Sequence, residues 1–210
     1  MSDLDDVIAH VGVHRVERVR AALAQRLGSV VVVAEAVRRR HNASAILRTC
    51  EAFGVHEVHL VTAGWSPARG AARGAERWVR LRIHPTTESS LADLKARGFR
   101  VYVADLSPDG VPPEEVPMTG NVALVFGNET RGVSDTARAM ADGVLTVPMR
   151  GLTESLNVSV SAGIAIRTVA ERRRALVGGD LDDAERAAFL ADWLDAEAEA
   201  MRGLAARTTD

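Results

Sequence analysis

The chain has 210 residues, enough for one sizeable α/β domain with terminal additions and too few for two full domains. It contains no run of about 18 apolar residues, and its acidic start, Met1 to Asp6, has no signal-peptide pattern, so neither a membrane span nor export is expected and the protein reads as soluble and cytoplasmic. The net charge of −2 hides an asymmetry: residues 1–174 carry 23 basic and 19 acidic groups, and residues from 175 onward carry 3 and 9, which leaves the body able to present a basic face.

An arginine-spotted helical stretch over residues 14–27 ends at Gly28. Val30 to Val33, four β-branched residues in a row, read as a buried strand. Residues 43–53 read as a helix with Asn42 as N-cap and Gly54 as its stop, followed by a strand over 58–61. A Gly/Ala/Arg-rich loop (64–77) leads to a strand at 78–83, a helix at 87–97 and a strand at 99–104. After a loop rich in proline and acidic residues come an apolar strand at 122–126, a short helix at 133–141 and a strand at 144–147. A long helix, 155–176, and a last helix, 181–203, close the chain, with Trp193 and Leu194 expected to dock on the body. Strands alternating with helices predict an α/β fold, a mostly parallel sheet covered by helices on both faces. The organisation is a basic helical extension (1–28), a central domain (29–177) and an acidic C-terminal helix (178–210). Cys50, the sole cysteine, sits in an apolar helical segment and reads as a buried structural thiol. Arg172 to Arg174 read as a solvated helix end.

Three segments stand out. In the first, His41-Asn-Ala-Ser-Ala-Ile-Leu-Arg48, Arg48 interrupts a run that otherwise looks buried, so its guanidinium is expected to need an anionic partner. The second, Phe126-Gly-Asn-Glu-Thr-Arg-Gly132, follows an apolar strand, where α/β sheets bind ligands and glycine allows close approach of the backbone. It is neither a phosphate loop nor a dinucleotide fingerprint. The third, Val147 to Ser159, enters the long helix, on which Ser155, Ser159, Ala162 and Gly163 are expected to form a stripe of small residues.

In this order and spacing the three segments resemble the signature motifs of the SpoU (TrmH-like) family of the SPOUT superfamily, from about residue 30 to 170. Trp78 to Pro85 and Ala191 to Leu194 look like the branch that methylates guanosine 18 of tRNA. The resemblance implies a trefoil knot in the C-terminal part of the sheet, a homodimer in which each site borrows residues from its partner, and RNA 2′-O-ribose methylation. It implies S-adenosylmethionine as cofactor, leaving as S-adenosylhomocysteine, and no metal. Ala104, Asp105, Leu106, Phe126, Gly127, Val147, Met149 and Leu156 match the cofactor loops. Arg48, Asn42, Glu129, Ser155 and Asn157 match the catalytic positions. A guanidinium is a poor proton acceptor, so the role expected of Arg48 is to grip a phosphate and stabilise the developing alkoxide, with Asn42 orienting it. Glu129 and Asn157 would arrange the site and Ser155 would support its loop. Arg15, Arg18, Arg20, Arg26, Arg38, Arg39 and Arg40 are the expected RNA contacts. The wording of the second and third motifs is as close to ribosomal-RNA members, while the arginine-bearing N-terminal helix favours tRNA. Methylation of 23S ribosomal RNA and a non-catalytic RNA-binding protein on the same fold are the alternatives.

Overall fold

The computed structural model describes residues 7–9, 11–62 and 74–208. The acidic N-terminus and residues 64–73 of the glycine-rich loop lie outside the described residues. In chain order the elements are α1 (Val13–Ala24), β1 (Leu27–Glu35), α2 (Arg40–Ala52), β2 (Val55–Val61), a 3-10 turn (Ala75–Arg77), β3 (Arg80–His84), α3 (Thr87–Ala96), β4 (Phe99–Ala104), β5 (Asn121–Phe126), α4 (Asp135–Met140), β6 (Gly143–Leu145), α5 (Val158–Val177) and α6 (Asp183–Thr208). They form two compact units, one from the chain ends (up to Arg26 and from Gly179), the other from Leu27–Gly178.

In the larger unit six strands lie in the order β3-β2-β1-β5-β4-β6, every pair parallel. The expected α/β architecture is present. β1 explains why. Its side chains alternate between faces, so Val30, Val32 and Ala34 enter one apolar cluster and Val31 and Val33 the other, and both clusters need a helical cover. α2 supplies Ala43, Ile46, Leu47 and Cys50 to the first, at the spacing of one helix face. α5 adds Ala162, Ala165, Ile166, Val169 and Ala170, again one face. α3 and α4 cover the second cluster through Leu91, Leu94 and Ala137. Cys50 is buried as expected.

Three local readings change. α2 begins at Arg40, two residues before Asn42, so Asn42 lies inside the first turn and does not cap it. α5 begins at Val158, because the Asn157 side chain accepts the Ser159 N–H at 2.8 Å and ends the preceding loop there. Ser155 is therefore off the helix, and of the expected small-residue stripe Ser159, Ala162 and Gly163 remain on it, with Ala162 buried. Arg172, Arg173 and Arg174 are not a solvated helix end. They donate to the carbonyls of Pro113 and Val116, of Met118, and of Phe53 respectively, so the run ties the loop before β5 and the end of α2 to α5.

In the unit made of chain ends, α1 buries Val16, Val19 and Leu23 and packs against α6, whose Phe189, Trp193 and Leu194 are buried. Arg15 pairs with Glu197 at 3.2 Å and lies 5.4 Å over the Trp193 ring, so the indole meets α1. The Arg26 carbonyl accepts the N–H groups of Asp180 and Leu181. Among the described residues no helix is long and apolar enough to cross a membrane.

One buried charge in the sheet is held by several partners. Glu57 of β2 is 3% exposed, accepts from Arg97 at 2.5 Å and His59 at 2.9 Å, and forms an ion pair with Arg82 at 3.0 Å. Burial alone would raise its carboxyl pKa; the hydrogen bonds from His59, Arg97 and Arg82 outweigh it and hold the group well below the usual carboxylate range. A depressed folded-state value means stabilisation that is present above the unfolded value and lost as pH falls. Glu57→Gln is expected to cost about 3 kcal/mol in urea unfolding at pH 7, since it takes the carboxylate from Arg82 and leaves Arg97 only Asp93, at 3.1 Å. The gap between wild type and variant should narrow as pH drops below about 4.5.

Candidate active site

From β1 the chain moves outward to β2, and from β5 it moves the other way, past β4 to β6. The loops at the carboxyl ends of neighbouring β1 and β5 therefore diverge and leave a crevice, the usual ligand position in an open parallel sheet. A cleft of about 440 Å³ opens beside it, over the carboxyl ends of β5, β4 and β6, within the size range of small-molecule sites. Ala104, Phe126 and Leu145, the last residues of β4, β5 and β6, form its floor. All eight residues matched to cofactor loops line it: Ala104, Asp105, Leu106, Phe126, Gly127, Val147, Met149 and Leu156. Leu106 and Leu156 stand at its edge, 55% and 37% exposed. The Asp105 carboxylate is engaged on both sides, pairing with Arg138 and accepting the Leu106 N–H at 2.9 Å.

The loop after β5 is tightly closed. Asn128 and Gly132 exchange two backbone hydrogen bonds of 2.9 Å, with Gly132 in the left-handed region at φ 70°. A Cβ placed on Gly127 would sit 2.3 Å from the backbone of Gly132 and Val133, so this position takes only glycine. The Asn128 side chain donates to the carbonyl of Ala36 at 2.9 Å and accepts the amides of Thr130 and Arg131. Ser134, the N-cap of α4, donates through its N–H and its hydroxyl to buried Glu35, which also accepts from Thr87. Both ends of the loop are thereby tied to the end of β1.

Glu129, at its tip, joins the three motifs. Its carboxylate accepts the backbone amides of Arg38 and Arg39, at 3.2 and 3.0 Å, and the Asn42 side-chain amide at 2.9 Å. This is the N-terminus of α2, where a carboxylate suits both the unpaired amides and the helix dipole. Glu129 does from a distant segment what Asn42 was expected to do locally. The Asn42 oxygen in turn accepts from Asn157 at 3.2 Å. Asn42 is 1% exposed, so its amide needs both partners. Burial would raise the Glu129 pKa; the bonds from Asn42 and from the backbone amides of Glu129, Arg39 and Arg38 prevail and lower it, keeping it a carboxylate near neutral pH.

Arg48 lies elsewhere. It is exposed, and among the described residues no hydrogen bond or ion pair engages its guanidinium, so the expected anionic partner is not found among them. It lines a different cavity, with Thr49, Phe53, Ala75 and Trp78. Asn42, expected to orient Arg48, bonds Glu129 and Asn157 at the two ends of its amide within this chain. Ser155 is exposed on the cleft wall. Of the expected RNA contacts, Arg15, Arg18, Arg20, Arg38, Arg39 and Arg40 are exposed, although Arg15 is engaged by Glu197. Arg26 is 4% exposed, its place after α1 putting it under cover, and it offers no guanidinium to a surface ligand. Sequence reasoning missed that Arg39, Asn128, Thr130 and Ser161 also line the cleft. Asn128 and Thr130 stand inside the second segment and Arg39 was expected as an RNA contact, while Ser161 carried no signal.

Residues 29–167 match the model of the SpoU rRNA Methylase family, two thirds of the chain. The chain belongs to that family. Among its relatives, tRNA (guanosine(18)-2′-O)-methyltransferase of Thermus thermophilus is 41% identical over 86% of this chain and 95% of its own length. The Escherichia coli K12 protein of the same name is 36% identical over 76% of this chain and 71% of its own length. The crystal structure of the Aquifex aeolicus TrmH/SpoU tRNA modifying enzyme superposes with a TM-score of 0.79 at 33% identity, covering 88% of this chain and 96% of that one.

Gly127→Ala should push apart the loop after β5 and destabilise the fold by about 2 kcal/mol, with cofactor affinity measured by calorimetry falling as well. The same substitution at Gly151, where an added Cβ meets nothing within 4 Å, should leave stability within about 0.5 kcal/mol of wild type.

Proposed function

We propose that this SpoU-family chain transfers the methyl group of S-adenosylmethionine to a ribose 2′-hydroxyl of tRNA, at guanosine 18 of the D-loop, and works as a cytoplasmic homodimer. The observation that carries this reading is that all eight family-matched cofactor positions line one cleft, bordered by the bonded Asn42, Glu129 and Asn157. The tRNA target follows the names of relatives at 36 and 41% identity.

The cleft suits the cofactor chemically. Phe126, Leu145, Val147 and Leu156 offer apolar walls for a purine, and the strand ends beside Gly127 offer backbone N–H and C=O groups at close range for its polar edge. The bound cofactor supplies an electrophilic methyl on a sulfonium whose departure leaves a neutral thioether. What the chain must add is alignment of the ribose oxygen and help with its proton. Asn42, Glu129 and Asn157 hold the three loops in register, so Ser155, Leu156 and Arg39 keep their places on the cleft wall. Glu129 stays ionised and its oxygens are committed to N–H donors, which makes it a positioning group. The proton passes to a phosphate of the RNA or to water.

Arg48 is the remaining group, and its distance from the cleft bears on the dimer. It is the exposed guanidinium of the first motif, and it serves the cleft of a second copy of the chain. Val160 and Ile164, 49 and 39% exposed on the outer face of α5, and fully exposed Leu152 supply apolar surface for that association. Arg48 there stabilises the developing alkoxide and the adjoining phosphate.

Arg48→Ala is expected to reduce methyl transfer to a tRNA transcript at least about 100-fold while leaving cofactor binding by calorimetry unchanged. Mixing Arg48→Ala with Asn157→Ala, each inactive alone, should restore about a quarter of the activity through mixed dimers. No recovery would assign Arg48 to its own subunit's cleft. Mapping 2′-O-methylation in total RNA with and without the protein tests the target; a mark lost from 23S ribosomal RNA and not from guanosine 18 would favour the ribosomal substrate that the Asn128 to Gly132 wording resembles.

A further inference from the structure

Beside the cofactor cleft lies a second hollow of about 310 Å³, lined by Ala36, Arg38, Arg39, Asn128, Glu129, Thr130 and Arg131. Arg39, Asn128, Glu129 and Thr130 belong to both cavities, so the two share a wall. Three arginines line this hollow against one carboxylate. That carboxylate is already spent: both Glu129 oxygens accept from the amides of Arg38 and Arg39 and from Asn42. Among the described residues, no hydrogen bond or ion pair occupies the side chains of Arg38, Arg39 or Arg131. Three like charges held together without a counter-ion repel one another, and they persist at low cost only where solvent or an anionic ligand screens them.

The backbone here is tightly determined. Ala36 holds φ 49°, the one non-glycine residue with positive φ among the described residues, and its carbonyl is bonded by Asn128. Asn128 also accepts the amides of Thr130 and Arg131. The segments bearing Arg38 and Arg39 on one side and Arg131 on the other are thus fixed to each other through Asn128 and Glu129, while the guanidiniums are left to a ligand.

We propose that Arg38, Arg39 and Arg131 form a subsite for a backbone phosphate of the RNA strand whose ribose enters the adjoining cleft. The proposal rests on the RNA methylation reading and deepens it in two ways. It adds Arg131, and it separates Arg38 and Arg39 from Arg40, which lines neither cavity. A phosphodiester offers two anionic oxygens to planar guanidinium forks, and its position across the shared wall fixes how far the strand reaches into the cleft. The contact is to the backbone, so it contributes affinity and register to any RNA sequence, and target choice lies elsewhere.

The test uses the full chain, wild type and with Arg131→Gln or Arg38→Gln, both exposed changes that leave the fold intact. Binding of a tRNA transcript is measured from 50 to 300 mM salt. Each lost phosphate contact should lower the slope of log affinity against log salt by about 0.7 to 0.9, and the KM for RNA should rise about fivefold with kcat nearly unchanged. The double variant should lose close to two contacts' worth of slope. Unchanged slope and KM would overturn the subsite. A weakened cofactor affinity with an unchanged RNA slope would also overturn it, assigning the guanidiniums to the cofactor's carboxylate. Failure of the methylation reading shows separately, as absence of transfer by the wild type, because the salt slope is read from binding alone.

Discussion

The Glu129 carboxylate is where three distant stretches of chain become one site. It accepts amides from the segment ahead of α2 and from Asn42, and Asn42 hands the connection on to Asn157 at the start of α5. A carboxylate in this place meets unpaired amides and the positive end of a helix, which is why it stays ionised while partly shielded from water. The arrangement is economical in a physical sense: α2 has no side-chain cap of its own, and α5 is capped by a residue that also bonds Asn42. Loss of any member leaves a buried amide or a set of helix-end amides unsatisfied.

The parallel sheet decides where these groups can meet. Hydrophobic β1 and β5 lie side by side because both are buried on two faces, and their outgoing loops turn in opposite directions. The cleft lies beside that divergence, over the ends of β5, β4 and β6, and Arg39 is its one contact from the chain after β1. Its floor comes from strand ends, while its walls come from chain that has no regular structure and so depends on side-chain ties. Asn128 to Ala36 and Ser134 to Glu35 are ties of this kind. Each satisfies carbonyls or carboxylates that the sheet does not pair.

Charge is distributed by function. Glu57 and Asp93 balance Arg82 and Arg97 in the body, as Glu197 balances Arg15 between the terminal helices. Around the motif loops the pattern reverses. Arg38, Arg39, Arg131 and Arg48 have no protein anion left to meet among the described residues, which is the electrostatic state a polyanion-binding surface keeps. The net charge of the chain conceals this, because the acidic residues are concentrated after residue 175.

Much of this was readable in one dimension. Periodicity alone located the six strands and the covering helices within a few residues, since β1 and β5 are continuous apolar runs and α2 and α5 carry one apolar face each. The site residues were also legible, because their types and spacing resemble a family and the eight matched to cofactor loops do share a cleft. What the sequence could not show is partnership across chain distance. Asn42 looked like a helix cap from its neighbours, and Glu129, 87 residues away, proved to take that duty. Arg48 looked buried because Ile46, Leu47 and Cys50 are, yet its side of the helix faces out. Arg172 to Arg174 looked solvated, and each reaches a carbonyl of another segment. Local spacing determines which residues share a face; which face meets which, and which polar group finds a partner, depends on distances set only when the sheet and its helices pack.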